Sequence, residues 1–121
     1  IEENIKLFCH PYKVSQIIIN FINNAQASIL RCRENASEVP KQYYVRIEAR
    51  IMGTRFHLSV LDNGESMQVQ SKKVNEKGWG IGLIISKNYA QEHQGEILSF
   101  ENGGVKKFTL VIPASSICED F

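Results

Sequence analysis

Between Val14 and Ile29, apolar residues recur at Val14, Ile17, Ile18, Phe21, Ile22, Ala25 and Ile29, the spacing of one face of an α-helix. So apolar a stripe must be covered, and a chain of 121 residues can supply one further layer to do it. The pattern predicts a helix from Lys13 to about Cys32. Gln16, Asn20, Asn23, Asn24 and Ala27 fall together on the opposite face. Asparagine is a poor helix former. Three of them in an otherwise apolar helix mark either a solvated face or a working one.

The covering layer is legible as strands. Tyr43, Val45, Ile47, Ala49 and Ile51 alternate with polar residues, as a half-buried strand does, and Phe56, Leu58 and Val60 alternate in a second strand. Gly53-Thr54 between them reads as a hairpin turn. Asp62-Asn63-Gly64 ends the second strand, and the polar stretch from Glu65 to Lys77 reads as a mobile loop. Gly78-Trp79-Gly80-Ile81-Gly82-Leu83 then opens a second helix, for which Gly95 is the expected C-cap. Ile97, Leu98 and Phe100 form a strand, Glu101 to Gly104 a hairpin turn, and Phe108, Leu110 and Ile112 a last strand closed by Pro113. Ile5 to Cys9 is a short strand candidate before the first helix. This order predicts an α+β fold: a two-layer sandwich with a mixed, mostly antiparallel sheet and helices on one face. Residues 1–113 are read as one domain and 114–121 as a peripheral tail.

Composition narrows the function classes. A formal net charge of +1 argues against nucleic acid or direct membrane contact as partner. No apolar run has membrane-spanning length. Cys9, Cys32 and Cys118 have neither metal-ligand nor disulfide-framework spacing and read as reduced thiols of a cytoplasmic domain. The chain starts at Ile1, so a piece of a longer protein is expected, its N-terminal strand missing and a membrane anchor elsewhere in the parent left open.

Three polar signals carry the chemistry. Asn20 and Asn24, four apart, set their amides one turn from each other; an amide oxygen is a hard ligand suited to Mg²⁺, and its N–H₂ can donate to phosphate. Asp62 at a strand end can accept from an exocyclic amine while Gly64 removes a side chain from its path, although Asp-Asn-Gly is also an ordinary turn. The glycines from Gly78 let backbone approach a ligand, and the following helix N-terminus is an anion site.

Together, N-x-x-x-N-A (Asn20 to Ala25), D-x-G (Asp62 to Gly64) and G-x-G-x-G-L (Gly78 to Leu83) resemble the ATP-binding fold shared by sensor histidine kinases, type II topoisomerases, mismatch-repair ATPases and a heat-shock chaperone family. Within that superfamily the chain looks most like the catalytic domain of a two-component histidine kinase. Gln16 to Ala25 resembles its N box; Lys87 with His93 to Ile97, and Phe108 to Pro113, resemble its later segments. The resemblance implies ATP and Mg²⁺ as cofactors and Asn20 and Asn24 as catalytic positions. Asn24 would be the metal ligand and Asn20 would line the phosphates. Asp62 would receive the adenine amino group, Gly64 would let the base approach, and the backbone of Gly80, Ile81, Gly82 and Leu83 would cradle phosphate. It implies as partners a histidine-bearing dimerisation domain elsewhere in a homodimeric parent, and a response regulator. His10, His57 and His93 are poor phosphoacceptor candidates.

The sequence departs from that pattern at Ser66, where glycine is usual, in a short loop from Glu65 to Lys77 without aromatics, and at Val105-Lys106-Lys107, where glycine and threonine are common. The alternatives are a non-catalytic domain of the same fold and an anti-sigma-type serine kinase. A topoisomerase-type ATPase would place a basic glutamate where Asn20 stands.

Overall fold

A computed structural model describes residues 9–35, 42–64 and 81–113. The expected first strand, apart from Cys9, the loop from Glu65 with Ser66, and the tail lie outside the described residues.

Helix α1 spans Pro11–Asn35, two residues earlier and three later than its periodicity predicts. Its start is over-determined. Pro11 brings the φ of a first helical residue, and His10 caps the helix, Nδ1 accepting from the Lys13 N–H at 3.4 Å. Strand β1 (Val45–Met52) and strand β2 (Arg55–Asp62) form the expected hairpin around Gly53, whose φ is +64°. Helix α2 spans Ile81–Glu92, and strands β3 (Glu96–Asn102) and β4 (Val105–Pro113) form a second hairpin. Gly103 and Gly104, both with positive φ, make that hairpin a tight two-residue turn. Glu101 and Asn102, expected in the turn, belong to β3.

The described strands form one antiparallel sheet in the order β1-β2-β4-β3. Ile17, Phe21 and Ala25 of α1 and Leu83 and Ala90 of α2 close on Phe56, Val60, Phe108, Leu110 and Ile112 of the two central strands. Phe21 stacks on Phe108 with ring centroids 5.8 Å apart. The α+β reading holds, with both helices on one face; no parallel pairing occurs among the described residues.

Two expectations are corrected. Strand β1 is not half-buried: Ile47 is 53% exposed, and Val45 and Ile51 are exposed too. The alternation is correct, but β1 is an edge of the described sheet and the helices sit over the centre. Gly95 is not the left-handed cap of α2. Gln94 takes φ +61°, its N–H bonding the Gln91 carbonyl, while the Gly95 N–H bonds that of Ala90 at 2.8 Å, a Schellman closure. Gly95 is needed for another reason: a Cβ there would stand 2.1 Å from the Val111 carbonyl oxygen.

Candidate functional site

Asn20, Asn24 and Ser28 succeed one another at four-residue intervals along α1 and line one row. The row does not belong to a solvated face. Asn20 is half-buried, and its Nδ2 donates to the Gly82 carbonyl at 3.0 Å and to Ser86 Oγ at 2.9 Å, both in α2. With both amide hydrogens used, the side chain offers its carbonyl oxygen as acceptor. Asn24, half-buried one turn on, makes no such bond among the described residues. The three leading residues of α2, Ile81, Gly82 and Leu83, carry backbone N–H groups that a helix start leaves without helical partners. The Leu83 side chain is in the core, so only its backbone is available to a ligand. Gly80 lies outside the described residues.

At the other end of the row, Asp62 is almost fully buried at the end of β2. Its Oδ1 accepts from the Ser28 hydroxyl at 3.1 Å and from the Gly64 N–H at 2.9 Å; its Oδ2 faces the Lys106 ammonium at 3.8 Å. A Cβ on Gly64 would stand 2.6 Å from Ser28 Oγ and 2.8 Å from the Ile29 nitrogen. Helix α1 itself therefore demands this glycine. Asn63 is structural: it accepts from the Tyr44 N–H and donates to the Gln42 carbonyl, tying down the approach to β1.

Ser28 and Lys106 are the partners of Asp62 that sequence reading missed, and both had a signal. Ser28 continues the Asn20–Asn24 row by one more turn. Lys106 has the parity of Phe108, Leu110 and Ile112, which places it on the helix-facing side of β4.

The donor set suits a metal that brings most of its own ligands. No group of three or more His, Cys, Asp or Glu that could hold a metal occurs among the described residues. Asn24 offers one hard amide oxygen, and Mg²⁺ characteristically takes a minority of its ligands from protein and the rest from phosphate and water.

Two of the histidines lie at the ends of the helices. His93 Nδ1 lies 2.8 Å from the Tyr89 carbonyl and so carries the hydrogen, while its Nε2 accepts from the His10 N–H at 3.0 Å. This bond and the Lys13–Glu92 ion pair tie the start of α1 to the end of α2. His57 stands on the opposite face of the sheet, beside Ser59 and Thr109. Burial pushes the Cys9 thiol above its ordinary value, away from nucleophile character.

Two helices thus cover one face of an antiparallel sheet, and a polar row on α1 runs from the start of α2 to a strand-end aspartate. The family model for histidine kinase-, DNA gyrase B- and HSP90-like ATPases matches residues 9–116. The chain belongs to that family, and within it is similar to histidine kinases. Sporulation kinase E of Bacillus subtilis is 26% identical over 123 residues, which cover 94% of this chain and 15% of that protein. The sensor histidine kinase FlgS of Helicobacter pylori is 30% identical over 92 residues, 71% of this chain and 23% of its own length. The chain thus spans less than a quarter of these relatives. The nucleotide-free catalytic domain of histidine kinase ThkA shares the fold, with a TM-score of 0.66 at 21% identity over 88% of this chain and 68% of that one.

Proposed function

We propose that this domain binds Mg²⁺·ATP and passes the γ-phosphoryl group to a histidine on a separate helical dimerisation domain of a longer, homodimeric sensor kinase, which in turn serves a response regulator. The observation that carries the reading is the α1 row. From Asn20, bonded to the first turn of α2, to Ser28, bonded to Asp62, the helix advances roughly 12 Å. A nucleotide laid along that row has its phosphates at the α2 start and its base at Asp62.

Each residue then has a role. Asp62 accepts the adenine 6-amino group, held in place by Ser28 and Gly64. Backbone N–H groups at the start of α2 receive phosphate oxygens. Asn20 fixes the spacing of the two helices and presents its oxygen to the phosphate side. Asn24 is the protein ligand for the metal, which when bound neutralises phosphate charge. No side chain of the chain need be a nucleophile, because such transfer rests on positioning and electrostatics. The paired His10 and His93, and His57 on the far face of the sheet, leave the acceptor role to another domain. A cytoplasmic setting, where ATP is available, goes with this reading.

Titration with a fluorescent adenine nucleotide, with and without Mg²⁺, tests the proposal. Saturable, Mg²⁺-enhanced binding is expected. Absence of binding at millimolar nucleotide would sink it, and absence of autophosphorylation in the full-length parent would restrict it to a non-catalytic domain.

A further inference from the structure

Lys106 has only 1% of its side chain exposed. The register puts it there: it is directly opposite Asp62 of β2 and Glu101 of β3, in the helix-facing row. Lysine is almost never fully buried unless paired. A buried ion pair seldom stabilises a fold more than apolar residues of the same volume would. A buried pair beside a binding site is therefore a candidate for function.

We propose that Lys106 reads the base together with Asp62, its ammonium donating to ring N1 of adenine while Asp62 Oδ2 accepts from the 6-amino group. The inference rests on the nucleotide site proposed above and assigns it a second base contact. Three observations carry it. Ser28 and Gly64 both engage Oδ1, which fixes the rotation of the carboxylate and turns Oδ2 toward Lys106. The ammonium–Oδ2 separation of 3.8 Å is ion-pair range, longer than a hydrogen bond, so the two heads stand side by side. The β2–β4 register sets Lys106 directly opposite Asp62, so the two side chains leave the same face of the sheet as neighbours, 1% and 2% exposed.

The chemistry is complementary in one sense only. Adenine presents a donor, the 6-amino group, beside an acceptor, ring N1; the pair presents an acceptor beside a donor. Guanine reverses the order, setting O6 against the carboxylate and N1–H against the ammonium. The pair thus selects adenine by attraction and rejects guanine by repulsion.

The test compares Mg²⁺·ATP, Mg²⁺·GTP and Mg²⁺·1-deaza-ATP, in which a C–H replaces ring N1, by competition against a fluorescent adenine nucleotide. The wild-type chain is expected to bind ATP about tenfold or more tightly than 1-deaza-ATP, the loss of one hydrogen bond to a charged donor. GTP should bind more weakly still. In Lys106→Met, similar in length but without the donor, the difference between ATP and 1-deaza-ATP should vanish. Equal wild-type affinity for ATP and 1-deaza-ATP, or for ATP and GTP, overturns the inference and leaves the nucleotide site standing. This arm needs no variant, so a folding failure of Lys106→Met does not shelter the idea. No binding of any of the three to the wild-type chain overturns the inference and the nucleotide site together.

Discussion

Asn20 and Asn24 look alike in sequence, yet among the described residues only Asn20 is bonded to α2, so truncating each should have different consequences. Asn20→Ala removes two hydrogen bonds between α1 and α2, at 3.0 and 2.9 Å, one of them to the fully buried Ser86. At about 1 kcal/mol net for each bond, the expected loss is about 2 kcal/mol. For a domain of this size, about 4 °C per kcal/mol puts the fall in Tm at about 8 °C. Asn24→Ala removes no bond among the described residues and adds a better helix former, so its stability should stay within about 0.5 kcal/mol of wild type. The order reverses for the metal: Asn24→Ala should abolish most of the Mg²⁺ enhancement of nucleotide binding, whereas Asn20→Ala should keep it at a lower overall affinity. Thermal melts by circular dichroism, paired with nucleotide titrations with and without Mg²⁺, measure both quantities. Equal Tm losses in the two variants would refute the structural half of the argument. Undiminished Mg²⁺ enhancement in Asn24→Ala would refute the chemical half.

Gly95→Ala drives a Cβ to 2.1 Å from the Val111 carbonyl oxygen, which is backbone and cannot step aside; a cost of about 3 kcal/mol or more is expected in a denaturant melt. A Tm within 2 °C of wild type, on the order of a negligible change, would contradict that packing. Ser28→Ala should cost about 1–2 kcal/mol and weaken adenine nucleotide binding, because Asp62 loses a donor that holds its rotation; unchanged affinity would separate Ser28 from the base site. The Lys13 hydrogen bond holds the Glu92 carboxyl below its ordinary value of 4.5. Its stabilisation is therefore fully present above that pH and is lost as pH falls below it through the depressed folded value. The Tm difference between wild type and Glu92→Gln should shrink on going from pH 7 to the acid side of that window, and a constant difference would remove the pair from the pH dependence.

The sequence by itself determined what depends on local periodicity and local backbone freedom. The stripe from Val14 to Ile29 identified α1 and its buried face. The alternation through β2 and β4 gave the inward residues, and Gly53, Gly103 and Gly104 gave the turns. The order of the asparagine, aspartate and glycine motifs was enough to indicate the family. Tertiary structure decided what depends on where those elements come to rest. Alternation in β1 could not say that this strand lies at an edge of the described sheet. A glycine after a helix suggests a cap, yet Gln94 takes the left-handed turn and Gly95 is fixed by β4. The polar face of α1 became a seam only when α2 docked on Asn20, and Lys106 met Asp62 only through the β2–β4 register. The physical reason is common to all four. Periodicity records which face of a segment is apolar, but what covers that face and what each residue meets are set by register and docking between segments far apart in the chain.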